Sequence, residues 1–308
     1  MRLNRYLARA GLSSRRGAEK IIASGRVRVN AEPATHPGIT IDPESDIVEV
    51  DGDIATVQLN RPKKFNAING PLAEGLGDAL DDLSRDESIR VVVLTGRGPA
   101  FCAGGDLASI WEQADGDPGP VFYELAGHFH EAVLQMRNMP KAIVGALNGP
   151  AVGGGFSVAL ACDLRILSDE AYMKCGYTGS GLTMDGGGSF SLPRIIGQGR
   201  AMEMVALDEK VFADQALDWG LVNRVVEAGS VGEEARQMAE QLAEMPRAAI
   251  GRDKKLFNRS FEHSLERHLE AERRQIAAVS QTPEGQEGIE AFLSKREAEY
   301  RELREHAE

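Results

Sequence analysis

Two apolar, β-like runs that each lead straight into a glycine-rich segment constrain this chain more than any other feature. Arg90-Val91-Val92-Val93-Leu94-Thr95 precedes Phe101-Cys102-Ala103-Gly104-Gly105-Asp106-Leu107. Ala142-Ile143-Val144-Gly145-Ala146-Leu147 precedes Asn148-Gly149-Pro150-Ala151-Val152-Gly153-Gly154-Gly155-Phe156. Glycine lets a backbone turn sharply and brings bare N–H groups close to a ligand. Two such groups converging from separate loops make an oxyanion hole, the device that stabilises an enolate or a tetrahedral oxyanion. The second segment continues into Ser157-Val158-Ala159-Leu160-Ala161, a helical stretch whose N-terminus would point at the same spot. Either segment alone reads equally well as an ordinary turn of an α/β domain.

The 308 residues leave room for one large domain and one small one. The net charge of −12 is unevenly spread. Residues 1–30 hold eight Lys or Arg against the single acid Glu19, so the remainder carries −19. An acidic body with a basic head points to two modules with different partners. The three cysteines, Cys102, Cys162 and Cys175, form no CxxC pattern and read as small buried hydrophobes in a reducing, cytoplasmic setting. The histidines His36, His128, His263, His268 and His306 show no metal-ligand spacing, so no metal is expected. Ala142 to Cys162 is uncharged and as long as a membrane span, but its five glycines, Asn148 and Pro150 favour a buried strand–loop–helix. Neither a membrane partner nor a secretory signal is expected.

From residue 51 onward, β-like runs alternate with helices predicted over 71–83, 122–136, 231–243 and 248–257, which argues for an α/β fold. Phe261, Leu265, Leu269, Ile276 and Val279 form an apolar stripe at helical spacing, and Thr282-Pro283-Glu284 is a helix start. Residues 2–28 read as two short amphipathic helices, followed by β-like pieces at 27–30 and 46–50.

Arg2-Leu3-Asn4-Arg5-Tyr6-Leu7, Ser14-Arg15-Arg16, Ile21-Ile22, Gly25-Arg26-Val27 and Val29-Asn30 together resemble the S4 RNA-binding domain. The resemblance implies a small α+β domain that meets structured RNA through Arg2, Arg5, Arg15, Arg16, Lys20 and Arg26. The stretches Ile54 to Pro62, Phe101 to Leu107, Lys141 to Asp163 and Ala213 to Val226 resemble the enoyl-CoA hydratase/isomerase (crotonase) superfamily, in that family's order. This resemblance implies a spiral of ββα repeats over 51–245, with an S4-like domain at 1–50 and a helical C-terminal subdomain at 246–308. It also implies a trimer or hexamer and an acyl-CoA thioester substrate, with coenzyme A entering as part of the substrate and no separate cofactor.

On that resemblance, the oxyanion-hole donors are the N–H groups of Gly105 and Gly154. Lys64, Ala67, Ala103, Gly104, Asp106, Leu107 and Lys254 would bind the acyl-CoA. Hydratases of the family use two glutamates, and those positions here carry Ser157 and Tyr177, neither of which is a base near neutral pH. Asp185, in Met184-Asp185-Gly186-Gly187-Gly188, stands where the ring-1,2-epoxyphenylacetyl-CoA and dienoyl-CoA isomerases place one aspartate. One carboxylate suffices to move a proton between two carbons once the enolate oxygen is held, with Tyr177 shaping the pocket or donating a hydrogen bond. Phe101, Phe156, Met173 and Met184 are expected to make the pocket apolar and so raise the pKa of Asp185.

The expected activity is therefore a double-bond shift from a 3-enoyl- to a 2-enoyl-CoA, or in a ring-derived thioester. Alternatives are an enoyl-CoA hydratase, a dehalogenase or thioester hydrolase using Asp185 as nucleophile with His130 nearby, and a non-catalytic RNA-binding scaffold.

Overall fold

The computed structural model describes residues 27–29, 32–34, 48–301 and 303. The RNA-contact candidates Arg2, Arg5, Arg15, Arg16, Lys20 and Arg26 lie outside the described residues. The strands are β1 (Val27–Val29), β2 (Glu32–Pro33), β3 (Val48–Asp51), β4 (Ile54–Leu59), β5 (Val91–Gly96), β6 (Ala142–Leu147), β7 (Ala151–Val152), β8 (Leu164–Ser168), β9 (Tyr172–Lys174), β10 (Val211–Phe212) and β11 (Arg224–Val226). The helices are α1 (Gly70–Arg85), α2 (Leu107–Gln113), α3 (Pro118–Asn138), α4 (Gly154–Ala161), α5 (Gly188–Ile196), α6 (Gln198–Leu207), α7 (Ala213–Asp218), α8 (Val231–Ala243), α9 (Arg247–Arg259), α10 (Leu265–Val279) and α11 (Pro283–Ser294).

Among the described residues, eight strands form one sheet in the order β11-β8-β6-β5-β4-β3-β1-β2, and β10-β9-β7 form a second. From β4 to β11 the large sheet is parallel, whereas β3, β1 and β2 add to it antiparallel. The parallel strands are covered on both faces, which is why their sequences are nearly continuous runs of apolar residues. Alternation along β5 sends Val91 and Val93 towards Ala235, Met238 and Ala239 of α8, while Val92 and Leu94 enter the larger core with Leu76, Leu80 and Phe156.

The four predicted helices are α1, α3, α8 and α9. Thr282 caps α11, its side chain accepting from the Gly285 N–H at 3.1 Å. The C-terminal stripe takes helical form from Leu265, and Leu265, Leu269 and Ile276 are more than half exposed. No helix among the described residues is long and apolar enough to cross a membrane, and Ala142 to Cys162 divides into β6, β7 and α4.

Candidate active site

Both glycine-rich segments follow the C-terminal ends of neighbouring parallel strands, β5 and β6, where open α/β sheets place their ligands. An isolated parallel bridge, Cys102 to Ala151, ties them together. The Cys102 N–H donates to the Pro150 carbonyl at 3.2 Å and the Val152 N–H to the Cys102 carbonyl at 2.9 Å. A third segment lies along the first loop. Ile68 N–H donates to the Gly104 carbonyl at 2.7 Å and Asp106 N–H to the Ile68 carbonyl at 2.8 Å. This bridge engages the groups on either side of Gly105, so the Gly105 N–H faces away from it and has no acceptor among the described residues. Gly154 is the first residue of α4, whose opening N–H groups have no partner within the helix.

The contact between the loops requires glycine at specific points. Gly104 (φ +96°) has no Cβ, and one placed there would sit 3.0 Å from the Val152 carbonyl oxygen and 3.3 Å from the Gly154 nitrogen. Gly153, the residue before α4, has φ +56° and ψ −125°, a conformation closed to other L-residues. Gly105 and Gly154 thus line one cleft of about 370 Å³.

Asp185 lines the same cleft. Its Oδ1 accepts a 2.8 Å hydrogen bond from the Tyr177 hydroxyl, and the Tyr177 oxygen lies 3.0 Å from Ser157 Oγ. Ser157 Oγ in turn donates to the Asp185 carbonyl at 2.8 Å. Ser157 and Tyr177 are both buried and, through these hydrogen bonds, form a polar knot with Asp185. Burial first, and then the negative charge of Asp185, push the Tyr177 hydroxyl well above its ordinary pKa, so it stays a neutral donor. The following turn is compressed: Gly186 has φ +58°, and a Cβ there would lie 2.3 Å from Phe129 Cε1. The Gly186 N–H donates to His130 Nε2 at 3.2 Å, so the lone pair of that nitrogen is occupied.

The other carboxylate lining the cleft among the described residues, Asp208, is engaged by Lys174 Nζ at 3.1 Å and by the Gly176 N–H at 2.7 Å. The apolar wall comes from Ile68, Ile110, Phe122, Leu125 and Phe129. This corrects the expected wall: Phe101, Phe156 and Met173 are wholly buried in the core, because they point inward from the layers that carry the loops. Met184 packs against that core, partly buried. The α3 residues were legible in principle, since Phe122, Leu125 and Phe129 share one helical face. Asn66 was missed. Fully buried and at φ +57°, its side-chain amide donates to the Arg97, Ala100 and Phe101 carbonyls, and its Oδ1 accepts from the Arg61 N–H at 2.9 Å. It fastens the turn before Ile68 to the first glycine loop.

Of the residues assigned to acyl-CoA binding, Ala103, Gly104 and Leu107 line the cleft. Lys64 is exposed on the adjoining turn, and Ala67, three residues on, is half-buried with its carbonyl accepting from Arg61. Asp106 caps α2 through the Ser109 N–H and pairs with Arg61 at 2.9 Å. Burial raises its pKa, but Arg61, the Ser109 N–H and the Lys64 charge outweigh that and hold it below the usual carboxylate value.

Lys254 lies elsewhere. Its ammonium is buried beneath α9, 2.7 Å from Asp163 Oδ2, and donates to the Lys141 carbonyl at 3.2 Å. Asp163 also accepts from the Ile143 N–H at 2.8 Å, so the pair anchors α9 to the start of β6. A phosphate contact from Lys254 would require breaking that anchor. Lys254→Met is expected to cost about 3 kcal/mol of stability by leaving Asp163 without its cation. Thermal unfolding beside a thioester titration checks this: Tm falls while thioester affinity stays constant.

The enoyl-CoA hydratase/isomerase family profile matches residues 49–303, and the S4 domain profile matches residues 1–56. The chain is 32% identical over 251 residues to the 1,2-epoxyphenylacetyl-CoA isomerase of Escherichia coli K12, covering 82% of this chain and 96% of the relative. It is 34% identical over 248 residues to 4-chlorobenzoyl coenzyme A dehalogenase-1 of an Arthrobacter species, covering 80% and 90% respectively. Among solved structures, an enoyl-CoA hydratase from Polaromonas sp. JS666 superposes with a TM-score of 0.78 at 33% identity, covering 82% of this chain and 98% of that one.

Proposed function

The chain belongs to the enoyl-CoA hydratase/isomerase family, and from that premise we propose that it is an acyl-CoA isomerase working with one carboxylate base. The observation that carries the reading is the cleft's inventory. Asp185 is its one carboxylate free of a cation among the described residues, and it shares the cleft with Gly105 and Gly154. Asp185 takes the proton from C2 of a 3-enoyl thioester. The electron pair moves to the thioester oxygen, which receives hydrogen bonds from the Gly105 and Gly154 N–H groups. Return of the same proton at C4 completes the shift to the conjugated 2-enoyl thioester, with no atom gained or lost.

The knot around Asp185 serves both of its protonation states. Ionised, Asp185 accepts from Tyr177. Protonated, it donates to the Tyr177 oxygen, whose hydrogen turns to Ser157 Oγ while Ser157 keeps its bond to the Asp185 carbonyl. Hydration needs a second group to position and split water, and the two places that would supply one are spent on this knot. Coenzyme A enters with the substrate, and the chain's own groups supply the chemistry.

The test is the rise of conjugated-thioester absorbance when the protein meets a 3-enoyl-CoA. Within that assay, Tyr177→Phe removes one charge-assisted hydrogen bond, worth about 1.5–3 kcal/mol. Turnover is expected to fall about tenfold to a hundredfold, with KM little changed.

Similarity to the Arthrobacter dehalogenase favours a second reading, in which Asp185 attacks an aromatic carbon. The His130 Nε2 lone pair, spent on the Gly186 N–H, is then not free to activate the hydrolytic water. Halide release from a halobenzoyl thioester would establish that reading instead.

Self-association as a trimer or hexamer is supported by Leu265, Leu269, Ile276, Phe292 and Leu293, which α10 and α11 leave more than half exposed. Sedimentation equilibrium is expected to give three or six chains, and a monomer would contradict it. The S4 profile match supports an RNA partner for residues 1–50 through Arg2, Arg5, Arg15, Arg16, Lys20 and Arg26.

A further inference from the structure

A second cavity, of about 460 Å³, lies at the opposite ends of the parallel strands from the catalytic cleft. Ala142, the first residue of β6, and Leu164 and Arg165, which open β8, line it, together with residues of α5 and α9. Four cations (Arg137, Arg165, Arg194, Lys254) face it against two carboxylates, Asp163 and Asp253. That balance is unusual in a chain of net charge −12.

Two of the cations are committed. Arg165 donates to the carbonyls of Leu221 and Cys162 at 2.6 Å each, and Lys254 pairs with Asp163. The other two have only neutral partners among the described residues. Arg137 donates to Asn258 Oδ1. Arg194 donates to the Phe190 carbonyl at 2.6 Å and lies over the rings of Phe190, at 3.5 Å, and Phe261, at 5.0 Å. Burial lowers the pKa of both Arg165 and Lys254; Asp163 raises both, and Arg137 adds a smaller lowering through its like charge. Much of the remaining wall is apolar, from Ile195, Leu242, Ile250 and Phe257.

We propose that this cavity binds a small organic anion with an apolar body, its carboxylate held between Arg137 and Arg194 and its hydrocarbon lying against Ile195, Ile250 and Phe257. Guanidinium groups match a carboxylate in geometry as well as charge. The volume falls within the range of small-molecule pockets. Leu160 and Cys162, at and just beyond the far end of α4, and Arg194 of α5 line this cavity, so its occupant touches the far ends of the two helices next to Gly154 and Asp185.

Octanoate is the probe, titrated calorimetrically into the full-length protein, with 1-octanol as the uncharged body. Saturable octanoate binding is expected, at least about tenfold tighter than octanol, and Arg194→Met and Arg137→Met are each expected to weaken it about tenfold. Neither arginine lines the catalytic cleft, so loss in these variants locates the ligand in the second cavity. Among the described residues Arg194 donates to a carbonyl and lies over ring faces with no ion pair, so its variant is expected to melt with the parent protein, which separates lost binding from lost folding. The proposal is overturned by octanol binding as well as octanoate, by affinity unchanged in both variants, or by no saturable binding at all, as when a second copy of the chain fills the cavity.

Discussion

Replacing Asp185 by Asn is expected to lower turnover of a 3-enoyl thioester about 10²–10⁴-fold while leaving the melting temperature nearly unchanged. The amide oxygen of Asn still accepts the Tyr177 hydroxyl that now donates to Oδ1, and Ser157 bonds to the backbone carbonyl, which the substitution does not touch. The knot therefore survives and only the proton acceptor is lost. Thioester affinity should also persist, since the Gly105 and Gly154 N–H groups are backbone groups of other segments. A steady-state assay beside a thermal melt checks both halves. A variant that keeps most of its activity would move the base elsewhere, and one that melts early would show that the knot needs the carboxylate.

The second large effect is expected from Gly155→Ala. A Cβ at residue 155 would lie 2.2 Å from the Cys102 carbonyl oxygen and 2.6 Å from the Cys102 side chain. That carbonyl is the one that accepts the Val152 N–H, so the clash falls on the bridge holding the two glycine loops together. Neither backbone yields without displacing Gly105 relative to Gly154. The expected cost is about 3 kcal/mol of stability, with a loss of about 10²-fold in turnover as one oxyanion donor leaves its position. Gly199→Ala is the control. It sits in α6 with nothing within 4 Å of the added methyl and is expected to be neutral or to stabilise by up to about 1 kcal/mol. Denaturant unfolding of the two variants side by side separates loop collision from a general effect of removing glycine.

The glycine loops were legible because their constraint is local. Backbone that passes within contact of another backbone, as at Gly104 and Gly155, leaves glycine in the sequence because no Cβ fits there. The alternating strands and helices were legible for the same reason: Val91 to Leu94 is apolar throughout because both faces of β5 are covered. Asp185 and its relation to Tyr177 came from resemblance, and the structure adds the 2.8 Å hydrogen bond joining them. What the sequence concealed depends on pairing through space. Lys254 looks like any helical lysine until Asp163, ninety-one residues away in the chain, is found beneath it. Asn66 gives no local sign that three carbonyls from residues 97–101 converge on its amide. Phe101 and Phe156 were misplaced because hydrophobicity reports that a side chain is covered, without saying whether core or cleft covers it.

The most direct test of single-base isomerisation is to give the purified protein 3-enoyl-CoA and 2-enoyl-CoA separately, weigh the products by mass spectrometry and follow the conjugated-thioester absorbance. The account predicts that the 3-enoyl substrate gains that absorbance at unchanged mass, and that the 2-enoyl substrate never gains the mass of a water. A product of 2-enoyl-CoA heavier by one water would contradict it, because Ser157 and Tyr177 would then be supporting hydration.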